Sequence, residues 1–178
     1  MTKIIGILNL TLDSFSDGGM YYDFESAKKH ISEMITQGAD IIDIGAESTR
    51  SGFSDVSADT QINTLAPIIE FINKNHDIKI SIDTRSSEVI NAFSSQNVLF
   101  VNDVSSGFHD MNMLKTVSHL KCNYIMTHMP AEHQKGLNKK YNNVLDELNN
   151  FFNERINSCI DQGIDKEKII IDPGIGFG

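Results

Sequence analysis

The chain has 178 residues, 40% of them hydrophobic and 22% charged, and a formal net charge of −9. Such a composition supports one domain with a real core and excludes a disordered or collagen-like chain. The acidic balance argues against nucleic acid or an anionic membrane as partner, since phosphate recognition favours a basic face.

In chain order, residues 3–8 read as a buried strand that leads into Asn9. Residues 24–37 read as a helix with Ala27, Ile31, Met34 and Ile35 on one face. A second strand at 41–45 runs towards Glu47, Thr49 and Arg50. A helix at 59–75 presents Ile62, Leu65, Ile69 and Ile72, with Pro67 as a kink. Residues 78–82 form a strand ending on Asp83, and a short helix at 86–93 starts from Thr84 as its cap. Residues 98–101 run into Asn102 and Asp103, and another short helix spans 111–119. The strand at 124–127 leads to His128, and 130–140 is a polar loop. The long helix at 141–162 buries Val144, Leu148, Phe151, Phe152 and Ile156, and the last strand, 169–171, ends on Asp172. Gly38 and Gly163 stand where helix C-caps are expected. No stretch reaches a membrane-spanning length, and there is no interdomain linker.

This alternation of strand and helix implies α/β architecture with a parallel sheet covered by helices. The strands read as apolar runs without alternation, as expected when both faces are covered. An open doubly wound sheet and a β/α barrel both fit. In either, ligands bind where the strands end, because side chains and loops converge there. Six polar strand ends in succession outline such a site.

Three chemistries are gathered at those ends. The segment from Asn9 to Gly19 is long for a βα connection and rich in Ser, Thr and Asp, which suits a phosphate or a Mg²⁺ ion carrying one; a solvated turn capping the next helix fits equally. Arg50, the first arginine of the chain, lies among Ser48, Thr49 and Ser51, a reasonable phosphate clamp unless Glu47 or Asp55 pairs with it. Asp83, Asn102 and Asp172 suit a planar heterocycle presenting an N–H and an NH₂ side by side, with Met126, Met129 and Phe177 available to its faces. Helix capping is the competing use for Asp83. Nothing resembles a nucleophile with its base, so covalent catalysis finds no support.

Five blocks carry a resemblance: Gly6-Ile-Leu-Asn9 with Asp13-Ser-Phe-Ser-Asp-Gly-Gly19; Asp43-Ile-Gly45 with Glu47-Ser-Thr-Arg50; Ser81-Ile-Asp83-Thr84; Asn102-Asp103-Val-Ser105; and Asp172-Pro-Gly-Ile-Gly-Phe-Gly178. In these the chain resembles the dihydropteroate synthase family. The resemblance implies a TIM-type (β/α)8 barrel, of which this chain supplies about six β/α units, as a single pterin-binding domain over residues 1–178 that is C-terminally incomplete. It implies condensation of 6-hydroxymethyl-7,8-dihydropterin diphosphate with 4-aminobenzoate, with Mg²⁺ as cofactor, in the cytoplasm, with a homodimer and sulfonamide sensitivity usual for the family. By motif, Asp83, Asn102 and Asp172 would bind the pterin, with Met126 and Phe177 packing on it. Asn9 would hold Mg²⁺ and pyrophosphate, and Thr49, Arg50 and Ser51 would meet pyrophosphate and aminobenzoate. Leu12, Ala46 and Ser51 depart from the family's usual Pro, Gly and Pro, and its Lys, Arg and His of the last two strands have no counterpart here. The alternatives are a pterin-binding remnant without turnover, and a methyltetrahydrofolate-binding methyltransferase barrel, which would not need the first two loops.

Overall fold

All six expected strands are present in the computed structural model, which describes residues 2–10, 20–48, 55–137 and 139–177. They are β1 (Ile5–Asn9), β2 (Ile41–Gly45), β3 (Lys79–Asp83), β4 (Val98–Asp103), β5 (Asn123–Thr127) and β6 (Ile169–Asp172). They form one parallel sheet in the order β1-β2-β3-β4-β5-β6. Between them run α1 (Met20–Thr36), α2 (Ala58–Asn75), α3 (Ser87–Ala92), α4 (Met113–Leu120), α5 (Ala131–Gln134) and α6 (Val144–Asp161). The sequential order with helical crossovers is that of a β/α barrel, five βα units and a sixth strand of it among the described residues. The described strands do not close on themselves: β1 and β6 are the sheet's edges, and they expose Ile5, Ile7, Ile170 and Ile171.

The two faces of the sheet are chemically different. Alternate side chains point to opposite sides, so register assigns each residue to a face. One face carries Leu8, Ile42, Ile44, Ile80, Ile82, Val101, Tyr124 and Met126, all buried in the main core. Against them pack Ile31 of α1, Leu65, Ile69 and Ile72 of α2, Met113 and Val117 of α4, and Phe152 of α6. The other face, the barrel interior, carries Asn9, Asp43, Ser81, Asp83 and Asn102 beside Ile7, Phe100 and Ile125. The expectation of uniformly apolar strands therefore holds on the helix side alone. Between Ile80 and Ser81 the pairing with β4 slips by one residue, from Val98 to Phe100. Leu99 is the extra residue of this bulge. The slip leaves Val98 towards the helices while Phe100 and Asn102 face inward, level with Ser81 and Asp83.

Several boundaries differ from expectation for local reasons. Ser57 caps α2 by accepting from the Thr60 N–H at 3.3 Å, and α2 runs through Pro67 without a break. Thr84 accepts the Ser86 N–H at 3.2 Å, one residue before α3, and so does not cap the helix itself. Its hydroxyl donates to Gln61 Oε1 at 2.7 Å, and Asp110 accepts the Ser87 N–H instead, at 2.8 Å. The expected loop at 130–140 contains the single turn α5. Asn143 starts α6 three residues late by accepting from the Leu145 and Asp146 N–H groups. Gly38 and Gly163 end their helices with φ of 102° and 87°, as expected of C-caps. No helix among the described residues is long and apolar enough to cross a membrane.

Candidate active site at the carboxyl ends of the strands

Register brings the strand ends into one row. Asn9 pairs with Gly45, Gly45 with Asp83, Asp83 with Asn102, and Asn102 with Ile125. Asp172 lies two residues further along, opposite Thr127, whose hydroxyl donates to Asp172 Oδ2 at 3.4 Å. Thus Asn9, Asp83, Asn102 and Asp172 share the inner face at one mouth of the sheet.

Their hydrogen bonds determine what each can offer a ligand. The Asn102 Nδ2 donates to the buried Asp43 Oδ2 at 2.9 Å. This leaves its side-chain carbonyl oxygen as an acceptor. Asp172 Oδ1 accepts the Gly174 N–H at 2.9 Å, and the Asp172 carbonyl accepts the His128 N–H at 3.0 Å. No described residue donates to the Asp83 carboxylate, which rests against Gly45 with about 3.3 Å between Oδ2 and the place a Cβ would occupy. Three acceptors therefore converge with few donors around them, an arrangement that calls for a ligand rich in N–H groups. Helix capping, the competing use for Asp83, is taken by Asp110.

Electrostatics mark the same place. Burial raises the Asp83 carboxyl well above the usual range, and Asp43, Asp103 and Glu47 push it the same way against the pull of Arg85. Asp43 is also raised by burial, partly offset by Ser81 and Asn102. Asp43 Oδ1 and Ser81 Oγ both lack a hydrogen-bond partner among the described residues, although they face each other across β2 and β3. Clustered, buried carboxyls with raised pKa values are typical of functional sites.

The 3₁₀ turn Ile175–Phe177 follows β6 and places Phe177 edge-on to His133, with ring centroids 4.8 Å apart. Gly174 begins this turn with φ 65°, and a Cβ there would lie 2.0 Å from the His128 carbonyl oxygen. Gly174→Ala is therefore expected to cost at least about 1–2 kcal/mol through the backbone angle alone, and more through the clash. Because Gly174 also holds Asp172, ligand affinity should fall with stability; parallel denaturation and binding titrations would test this.

One expectation is corrected. Met126 does not face a ring-binding site. It is fully buried on the helix side, since its neighbours Ile125 and Thr127 take the inner face. Ile125, absent from the sequence reading, is the apolar residue in the row with Asn102. Thr49, Arg50, Ser51 and the segment 11–19 lie outside the described residues. Both partners offered for Arg50, the buried Glu47 and the exposed Asp55, pair with Arg85 at 2.8 Å. Sequence reasoning missed Arg85; its place two residues after Asp83, at a strand end, was the available signal.

A model of the pterin-binding enzyme family matches residues 5–178. The chain belongs to the pterin-binding enzyme family. Among curated relatives, dihydropteroate synthase of Clostridium beijerinckii is 41% identical over 177 residues, covering 99% of this chain and 64% of that protein. Dihydropteroate synthase of Escherichia coli K12 is 38% identical over 178 residues, covering 98% of this chain. The chain thus spans slightly under two thirds of the length of these family members, 64% and 62%. Among solved structures, Yersinia pestis dihydropteroate synthase in a sulfonamide drug complex superposes with a TM-score of 0.88 at 33% identity, covering 98% of this chain and 64% of that one. The Xanthomonas albilineans enzyme with 4-aminobenzoic acid does so at 0.88 and 35% identity, covering 99% and 62%. The six strands and five helical crossovers described above are thus those of the family's barrel.

Proposed function

We propose that residues 1–178 form one pterin-binding domain of a dihydropteroate synthase, which condenses 6-hydroxymethyl-7,8-dihydropterin diphosphate with 4-aminobenzoate. The observation that carries this reading is the trio of acceptors, Asp83, Asn102 and Asp172, on one inner face. The 2-amino group and ring N–H groups of a pterin supply the matching donors. The relatives' bound 4-aminobenzoic acid and 7,8-dihydropteroate support the same substrates.

In this reaction the C–O bond to the diphosphate breaks, and the arylamine nitrogen bonds to the exocyclic methylene and then loses a proton. No enzyme nucleophile is needed. Asp83, Asn102 and Asp172 hold the ring and favour the electron-poor methylene beside it. Phe177 is assigned to a face of the ring, and Ile125 lies in the row with Asn102. Thr49, Arg50 and Ser51 are assigned to the diphosphate and the aminobenzoate, and a change at Ser51 would bear on sulfonamide selection.

Mg²⁺ fits the residues present in a limited way. Asn9 offers one hard oxygen at the strand end, and no group of three His, Cys, Asp or Glu that could hold a metal occurs among the described residues. That suits an ion held by one side chain, waters and the substrate's own phosphates. When bound, the ion neutralises charge on the departing diphosphate. A cytoplasmic location and a homodimer complete the proposal, both resting on the family resemblance.

The deciding experiment pairs a pyrophosphate-release assay with calorimetric titration of the pterin. Binding with Mg²⁺-dependent release is expected. Tight pterin binding without release would reassign the chain as a binding module, and absence of pterin binding would overturn the reading.

A further inference from the structure

The function proposed above makes no direct use of Asp43, which lies on the inner face of the sheet and is only 4% exposed. On β2 it is level with Ser81, whereas Asn102 on β4 is level with Asp83. The 2.9 Å bond from Asn102 Nδ2 to Asp43 Oδ2 therefore crosses the inner face of β3 diagonally, past the small side chain of Ser81. Among the described residues, the Asn102 amide makes no other side-chain hydrogen bond.

Asn102 differs from Asp83 and Asp172 in one respect. A carboxylate accepts at both oxygens, so it offers a ligand the same chemistry whichever way it turns. A primary amide has a donating end and an accepting end of nearly equal shape, and a half-turn about its last bond exchanges them. With the N–H end on Asp43, the carbonyl end is left for a ligand. The half-turned amide would set acceptor against acceptor at Asp43 Oδ2. Stability alone does not account for the contact. Asp43 Oδ1 has no partner among the described residues, and a buried carboxyl so sparsely bonded is a net cost to folding.

We propose that Asp43 is a positioning residue that fixes the orientation of the Asn102 amide, and so makes the site prefer a ring edge that donates over one that accepts. The choice of a pterin as the ring rests on the function proposed above; the fixed amide does not.

The test compares a pterin with the matching lumazine, in which an oxygen replaces the 2-amino group. That exchange turns a donor into an acceptor and the bare ring nitrogen beside it into an N–H, while the ring keeps its shape. Asp43→Asn keeps the side chain's volume and can meet either end of the Asn102 amide. With both orientations open, calorimetric titration should show pterin affinity within about twofold of the unaltered protein's, while lumazine affinity rises about tenfold. General loss of structure would weaken both ligands and produce no gain. Adding Asn102→Asp to Asp43→Asn supplies a side chain that accepts at both ends, and should restore the discrimination. An unchanged ratio in Asp43→Asn, an equal fall for both ligands, or a double variant that stays undiscriminating overturns the proposal. Should Asp43→Asn fail to fold, Asp43→Ser, too short to reach Asn102, decides by the same ratio. Absence of pterin binding in the unaltered protein would sink the functional reading instead. The Asn102 side-chain NH₂ signals in nuclear magnetic resonance then decide: a proton shifted downfield and slow to exchange in the unaltered protein, and neither in Asp43→Ser, supports the fixed amide, and identical signals overturn it.

Discussion

Replacing Asp83 by Asn is expected to stabilise the fold at neutral and alkaline pH while weakening pterin binding by about 2–4 kcal/mol, roughly 30- to 1,000-fold. The loss follows from exchanging a charged acceptor for a neutral group that presents donors to the ligand's donors. The gain follows from burial, which raises the Asp83 carboxyl well above its ordinary value, helped by Asp43, Asp103 and Glu47. A carboxyl with a raised pKa in the folded state penalises folding at any pH where it is ionised. As pH falls through the folded value, Asp83 takes up a proton and that penalty disappears, until near the ordinary carboxylate value the unfolded chain protonates as well. The substitution should therefore raise the melting temperature more at about pH 8 than at about pH 5. Melting curves at the two pH values, with calorimetric titration of the pterin, give both halves. A destabilised Asp83→Asn at alkaline pH would show that the carboxylate has partners among residues outside those described.

Asp103→Ala, at the end of β4, is expected to be the most damaging single change for the turn that follows it, at about 3–5 kcal/mol in urea unfolding. Asp103 is fully buried and accepts the Ser105 N–H at 2.8 Å, the Ser105 hydroxyl at 2.6 Å, the Gly107 N–H at 2.7 Å and the Tyr124 hydroxyl at 2.7 Å. These bonds hold Ser106 and Gly107 at φ 52° and 78°. Around that turn, the Ser106 hydroxyl donates to the Thr127 carbonyl at 2.8 Å, and Arg155 donates to the Ser106 carbonyl at 2.6 Å while lying over Phe108. Removing the carboxylate strands several buried donors at once, whereas Tyr124→Phe removes one and should cost only about 1 kcal/mol. Equal costs for the two changes would show that Asp103 does not organise the turn. Asn102, the neighbouring residue on the inner face, should lose its alignment along with Asp103, so pterin affinity falls with stability.

The fold was readable because short apolar runs alternated with helical periodicity, and each run finished on or just before a polar residue. Period two along a strand was harder to use. Ile41–Gly45 reads as one apolar run interrupted by Asp43, and nothing local shows that Asp43 faces inward and orients Asn102. Met126 was misassigned for the same reason: proximity to the strand end suggested the site, while its phase assigns it to the core. The bulge at Leu99 left no mark in the sequence, because an extra residue in a strand is defined by its partner. Arg85 was invisible as a tether, since its partners Glu47 and Asp55 lie 38 and 30 residues earlier in the chain. Asp83, Asn102 and Asp172 could be grouped because all three stand at or next to strand ends, which requires no knowledge of side-chain direction.

The division of labour between the two sides of the sheet has a consequence for remodelling. Framework and recognition are written on alternate letters of the same short segments. A designer who keeps Ile42, Ile44, Ile80, Ile82 and Val101 keeps the scaffold's shape. The intervening positions, Asp43, Ser81, Asp83 and Asn102, are then open to rewriting for a chosen flat, nitrogen-rich guest without rebuilding the frame.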